Sequence, residues 1–98
     1  MNNNEKVFID FTADWCLTCK YNDALVFNTE YIANMIKKEN VKVINVDWTS
    51  YQEEVLQFMQ KFGRTGLPFY VFFSPKYSEG IVLDELIKDF ELKNILEL

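Results

Sequence analysis

Two cysteines, Cys16 and Cys19, stand directly behind a short apolar, β-branched run, and the chain holds no other cysteine and no histidine. That run, residues 7–13 (Val-Phe-Ile-Asp-Phe-Thr-Ala), reads as a strand apolar on both faces and therefore central in a sheet. Asp14-Trp15-Cys16 is the turn out of it, and a helical pattern begins at Leu17. The pair thus falls at a strand-to-helix junction. The missing histidines remove Ser-His and Cys-His nucleophile pairs and imidazole metal ligands. Two cysteines alone are too few for a structural zinc site or for an iron–sulfur cluster held by one chain.

The remaining chain continues the alternation. Ala24, Leu25 and Phe27 close the first helical pattern, read as 17–26. Asn28-Thr29 reads as a break and a new N-cap, with a second helix over 29–38, or one bent helix. Residues 41–47 form the next strand. Ser50-Tyr51-Gln52-Glu53 matches a capping box ahead of a helix carrying Val55, Phe58, Met59 and Phe62, which Gly63 ends. Residues 69–73 form another buried strand and 74–80 a hairpin connection. Residues 81–87 are the returning strand, and Asp89 caps a last helix over Phe90, Leu92, Ile95 and Leu96. The order βαβ then ββα predicts an α/β fold with a four-stranded mixed sheet and helices on both faces. Tyr70, Phe72 and Phe73 are expected in the core, and Trp48 near the surface over the sheet edge.

At 98 residues the chain suits one domain, placed at 6–98 behind a polar start at 1–5, read as disordered or artificial. The hydrophobic fraction of 49% is enough to build a core. Ten basic against fifteen acidic side chains leave a net charge of −5, which argues against nucleic acid as a partner. No apolar run reaches the roughly 18–20 residues needed to cross a bilayer. No signal-peptide pattern stands at the start, which says little about compartment.

The chemistry lies in Trp15-Cys16-Leu17-Thr18-Cys19-Lys20. A thiolate at a helix start meets unpaired N–H groups and the positive end of the helix dipole, which lowers its pKa. Lys20 adds positive charge nearby. Cys19, one turn deeper, is more shielded, which suits two-step exchange: Cys16 attacks a partner disulfide, and Cys19 then attacks Cys16. A purely structural disulfide would close only a tiny loop, with little effect on chain entropy. Two inert buried cysteines would leave their placement unexplained.

These residues resemble the thioredoxin superfamily, and more narrowly the C-terminal, periplasmic thioredoxin-like domains of DsbD-type thiol:disulfide interchange proteins. Ala13-Asp14-Trp15-Cys16-Leu17-Thr18-Cys19-Lys20 and Gly66-Leu67-Pro68 carry the likeness, over about residues 6 to 96. Leu17-Thr18 departs from the Gly-Pro that ordinary thioredoxins usually carry there. The resemblance implies a thioredoxin fold with Cys16 as exposed nucleophile and Cys19 as resolving thiol. Pro68 would be a cis-proline facing the disulfide, with Leu67 offering backbone hydrogen bonds to a partner's extended chain. Asp10 would be the buried acid that moves the proton of Cys19; a hydrogen-bonded structural role is the alternative. Asp23, one turn after Cys19, would raise the thiol pKa values, or else be a solvated helix-face charge. Trp15 would pack over the rim and shield the disulfide, unless it is a plain core tryptophan.

By resemblance the chain reduces periplasmic protein disulfides as a domain of an inner-membrane protein. Its partners would be the transmembrane donor and periplasmic acceptor domains of the same polypeptide. It needs no cofactor beyond the cysteine pair, binds no metal and works as a monomer. A free-standing reductase, an oxidase or isomerase, and a non-catalytic binding domain are the competing readings.

Overall fold

The computed structural model describes residues 5–98. The elements are β1 (Lys6–Thr12), α1 (Leu17–Asn22), a π-helical turn (Asp23–Phe27), α2 (Glu30–Lys38), β2 (Val41–Asp47), α3 (Glu53–Gln60), β3 (Phe69–Phe73), β4 (Ile81–Val82) and α4 (Asp89–Leu96). The sheet order is β2-β1-β3-β4. β1 runs parallel to β2 and antiparallel to β3, and β4 is antiparallel to β3. β1 is therefore central, as its double-sided apolar pattern requires.

Alternation along β1 and β3 divides the core in two. Phe8, Tyr70 and Phe72 face the side covered by the π turn, α2 and α4, where they meet Val26, Ile32, Met35, Leu92 and Leu96. Phe11, Phe69 and Val71 face α3, where they meet Val55, Met59 and Trp48. Both faces of β1 and β3 are thus covered while most of β2 stays exposed, and Cys16 and Cys19 follow the carboxyl end of the central strand.

Several local expectations change. The first helix is not regular to 26: after Asn22 the chain widens into the π turn, where Asn28 N–H donates to Asp23 C=O at 2.7 Å. Widening keeps Val26 and Phe27 on the core while Asn22 stays buried. Thr29 caps α2, its hydroxyl accepting from Ile32 N–H at 3.3 Å. The capping box at Ser50 does not form. α3 begins only at Glu53 behind Gln52, because the loop is held another way, with Trp48 Nε1 donating to Gln52 C=O at 3.1 Å. That bond also takes Trp48 off the surface into the α3 side of the core. Gly63 ends the helix region with φ +75°, and Arg64 N–H closes back on Met59 C=O.

The returning strand is two residues long, not 81–87. Leu83 N–H still bonds to Tyr70 C=O at 3.1 Å, after which the chain turns away, and the Leu83 and Ile87 side chains fill the core with Leu92. α4 has Lys88 at its cap and Asp89 inside its first turn, so Asp89 acts on the helix dipole and makes no side-chain cap bond; Phe90 is exposed. Residues 1–4, where the disordered start was expected, lie outside the described residues. Glu5, expected with them, is half-buried ahead of β1.

Candidate active site

Cys16 and Cys19 are joined in a disulfide with their Cα atoms 5.3 Å apart. Cys16 occupies the N-cap of α1 with an extended backbone (φ −91°, ψ 100°), and its sulfur accepts from Cys19 N–H at 3.1 Å. Local sequence explains this. β1 ends at Thr12, Cys16 N–H closes a turn onto Ala13 C=O, and Lys20 N–H starts the helical ladder on Cys16 C=O. The sulfur thus receives one of the amide donors that a helix start leaves free, which favours its charged form.

Ala13, Cys16, Cys19 and Leu67 form a small apolar cluster of their own. Cys16 is 6% exposed and Cys19 1%. Cys16 is the less covered residue of the two, but it is buried where an exposed nucleophile was expected, with Ala13 and Leu67 packed beside it. The Leu67–Pro68 bond is cis, and Pro68 is buried at the head of β3, so this segment comes directly to the cysteine pair. Lys20 is exposed on α1. Trp15 is not a core residue: it is 58% exposed, with its indole N–H tied to Thr49 C=O at 3.1 Å.

Asp10 lies in mid-β1 between Asn45 of β2 and Tyr70 of β3. It is buried, and its Oδ1 has no hydrogen-bond partner among the described residues. Burial, followed by the nearby Asp23 charge, pushes its carboxyl up to about 7. Asp23 is half-buried and its own carboxyl is raised by burial. The two acids line one cavity of about 380 Å³, with Thr12, Asn28 and Asn45 among its other walls. Cys19 is not among the residues lining it. The structure therefore brings Asp10 to Asp23, and Cys16 to Cys19, Ala13 and Leu67.

The sequence singles out none of Asn22, Asp47 and Thr49, and it places Tyr70 in the core, where it lies, without its link to the site. Asn22 is fully buried and donates through Nδ2 to Tyr70 Oη at 2.9 Å and to Glu85 C=O at 2.7 Å. It thereby ties the cysteine-bearing helix to β3 and to the segment before α4. Its signal was available: it is a polar residue one turn beyond Cys19, on the helix face that must be buried. Burial also raises the Tyr70 hydroxyl, and the Asp10 and Asp23 charges add to that.

A family model described as thioredoxin-like matches residues 2–75. The chain belongs to the thioredoxin-like family. A thioredoxin-like chain with a paired CxxC at a helix start and a cis-proline beside it has the parts for dithiol–disulfide exchange. Among its relatives, the thiol:disulfide interchange protein DsbD of Campylobacter jejuni (strain RM1221) is 35% identical over 94 residues, 91% of this chain and 16% of that protein. A chloroplastic thioredoxin-like protein of Oryza sativa subsp. japonica is 28% identical over 99 residues, all of this chain and 36% of that one. The chain thus spans about a sixth of the DsbD relative's length. In fold it is similar to the oxidised C-terminal domain of Neisseria meningitidis DsbD, with a TM-score of 0.77 and 22% identity, covering 95% of this chain and 78% of that one. Among the described residues no helix is long and apolar enough to cross a membrane.

Proposed function

We propose that residues 6–98 form a single electron-passing thiol–disulfide exchange domain of a DsbD-like interchange protein, which reduces protein disulfides. The observation that carries this reading is the Cys16–Cys19 disulfide at the start of α1, with the cis Leu67–Pro68 segment packed against it. In the dithiol form, Cys16 thiolate attacks one sulfur of the partner's disulfide. A mixed disulfide forms and the partner's other sulfur leaves as a thiolate, which takes a proton from water. Cys19 then gives its proton to the Asp10 carboxylate and attacks Cys16 Sγ. The Cys16–Cys19 bond forms and the partner leaves with two electrons and, after protonation, two thiols.

Asp10 suits the proton role because burial holds it near neutrality, where a carboxyl both takes and returns a proton. Asp23 tunes Asp10 through its charge and so acts on the thiols indirectly. Leu67 backbone receives the partner's extended chain, Lys20 favours the thiolate, and Trp15 forms the exposed rim that the partner touches. A dithiol donor in a membrane-embedded domain restores the reduced state, and the acceptor is a periplasmic domain of the same polypeptide; the 16% share of the DsbD relative is consistent with such flanking parts. The domain works in the periplasm, as a monomer, with the cysteine pair as its only redox group.

The experiment is disulfide trapping. Reduced Cys19→Ser protein, mixed with a disulfide-bonded peptide, should accumulate a mixed disulfide through Cys16 that mass spectrometry detects. Cys16→Ser should accumulate none. Equal labelling of both variants, or of neither, contradicts the assignment.

A further inference from the structure

Thr49 lies far along the chain from the cysteines, yet four hydrogen bonds converge on it. Its hydroxyl donates to Asp47 Oδ1 at 2.6 Å and accepts from Asp14 N–H at 2.9 Å. Its backbone N–H donates to the same Asp47 oxygen at 2.9 Å, and its carbonyl accepts from Trp15 Nε1 at 3.1 Å. Asp14 and Trp15 are the two residues immediately before Cys16. The loop that holds them is itself fixed. Trp48 N–H extends the β1–β2 pairing to Thr12 C=O at 2.7 Å, the Trp48 indole donates to Gln52 C=O, and its ring lies 5.7 Å from that of Tyr51.

From this geometry we propose that Asp47 and Thr49 are positioning residues for Cys16, a brace on the β2–α3 loop that sets how reactive the Cys16 sulfur is. The inference rests on the exchange function proposed above. Cys16 Sγ is served by Cys19 N–H at 3.1 Å only while Cys16 holds the extended N-cap conformation. The backbone entering that cap comes through Asp14 and Trp15, and both are fastened to Thr49. The Thr49 hydroxyl must donate one way and accept the other at once, so valine, of the same shape, can do neither, and serine can do both. The same two bonds from Thr49 hold the Asp47 carboxyl below its usual range, so it stays an ionised acceptor and orients the hydroxyl toward Asp14. Removing the hydroxyl releases Asp14 N–H while Trp15 keeps its bond to the Thr49 carbonyl, so the turn loosens on one side and Cys16 spends less time with its sulfur on the helix amide.

The test is the rate at which one equivalent of iodoacetamide labels Cys16 in the reduced protein at pH 7, read by mass. Thr49→Val should slow labelling about three- to tenfold, the size expected for one hydrogen bond. Thr49→Ser should restore it to within about twofold, since it keeps both bonds. Asp47→Ala should slow labelling similarly, and the double variant should be no slower than the slower single, because the two act as one unit. If Thr49→Val does not fold, Asp47→Ala and Thr49→Ser carry the comparison. The proposal is overturned if Thr49→Val labels like the wild type while melting lower, for then the brace is only structural. It is also overturned if serine labels as slowly as valine. A wild-type Cys16 no faster than an ordinary thiol overturns the exchange function and the brace together, whereas a fast wild type with unaffected variants overturns the brace alone.

Discussion

Replacing Asp10 by asparagine removes a charge that the fold holds at a cost, and that cost depends on pH. The carboxyl is 7% exposed, and it is pushed from 3.8 up to about 7, first by burial and then by the Asp23 charge. In the unfolded chain it titrates near the ordinary value of about 3.9. The folded state therefore binds this proton more tightly than the unfolded one. Below about pH 4 both states carry the neutral acid and the group is neutral to stability. As pH rises from about 4 to about 7 the unfolded state ionises first, and stability falls; above about 7 the full penalty stands. Three units of separation correspond to about 4 kcal/mol. Asparagine keeps the shape, cannot ionise, and costs about 1–3 kcal/mol at every pH as an unsatisfied buried amide.

The measurement is urea unfolding of the oxidised wild type and Asp10→Asn from pH 4.5 to 8.5, followed by tryptophan fluorescence. The variant should be the less stable protein at the acid end and the more stable one at the basic end. The difference between them should move by about 3 kcal/mol across the range, because the unfolded carboxyl is already mostly ionised at pH 4.5. Two parallel stability curves, or a wild type that gains on the variant as pH rises, would refute the reasoning about Asp10.

The same Asp10→Asn change should slow the second step of exchange about a hundredfold or more in stopped-flow measurements, while mixed-disulfide formation by Cys16 stays near the wild-type rate. Gly80→Ala should destabilise by about 2 kcal/mol or more in thermal unfolding. Gly80 holds φ +95°, and a Cβ there would lie 2.8 Å from Phe73 Cε1 and 3.0 Å from Val71 Cγ2. Tyr70→Phe removes the hydroxyl that Asn22 meets at 2.9 Å and should cost about 1 kcal/mol by urea unfolding, with the core otherwise unchanged.

How far the sequence could be read depended on how local each cause is. The central place of β1 follows from its own double-sided apolar run. The end of the α3 region follows from Gly63, and the cap of α2 from Thr29, because in each the deciding contact lies within a few residues. The 81–87 segment failed for the opposite reason. Leu83 and Ile87 suit a strand in isolation, but the helix-covered face of the sheet offers them a core position, and that packing wins over local β preference. The Ser50 capping box lost to a loop held by long-range bonds, Trp48 N–H to Thr12 C=O and Trp15 Nε1 to Thr49 C=O. At the site, Cys16 and Cys19 were legible as a pair because their spacing falls at a strand-to-helix junction that local sequence defines. Trp15 was not, since its environment depends on Thr49, 34 residues away. Asn22 was readable in principle as a polar residue on a buried helix face. Its partners Tyr70 and Glu85 could be known only after β3 and the chain before α4 came together over α1.

The central claim is that Cys16 and Cys19 pass electrons outward to protein disulfides, and the equilibrium reduction potential of that pair tests it most directly. The protein would be equilibrated in graded thiol buffers, its free thiols alkylated, and the two states counted by mass. A reducing value, near the roughly −270 mV of thioredoxin, is the result expected. A value near the roughly −120 mV of strong oxidants would reverse the direction of electron flow and contradict the account.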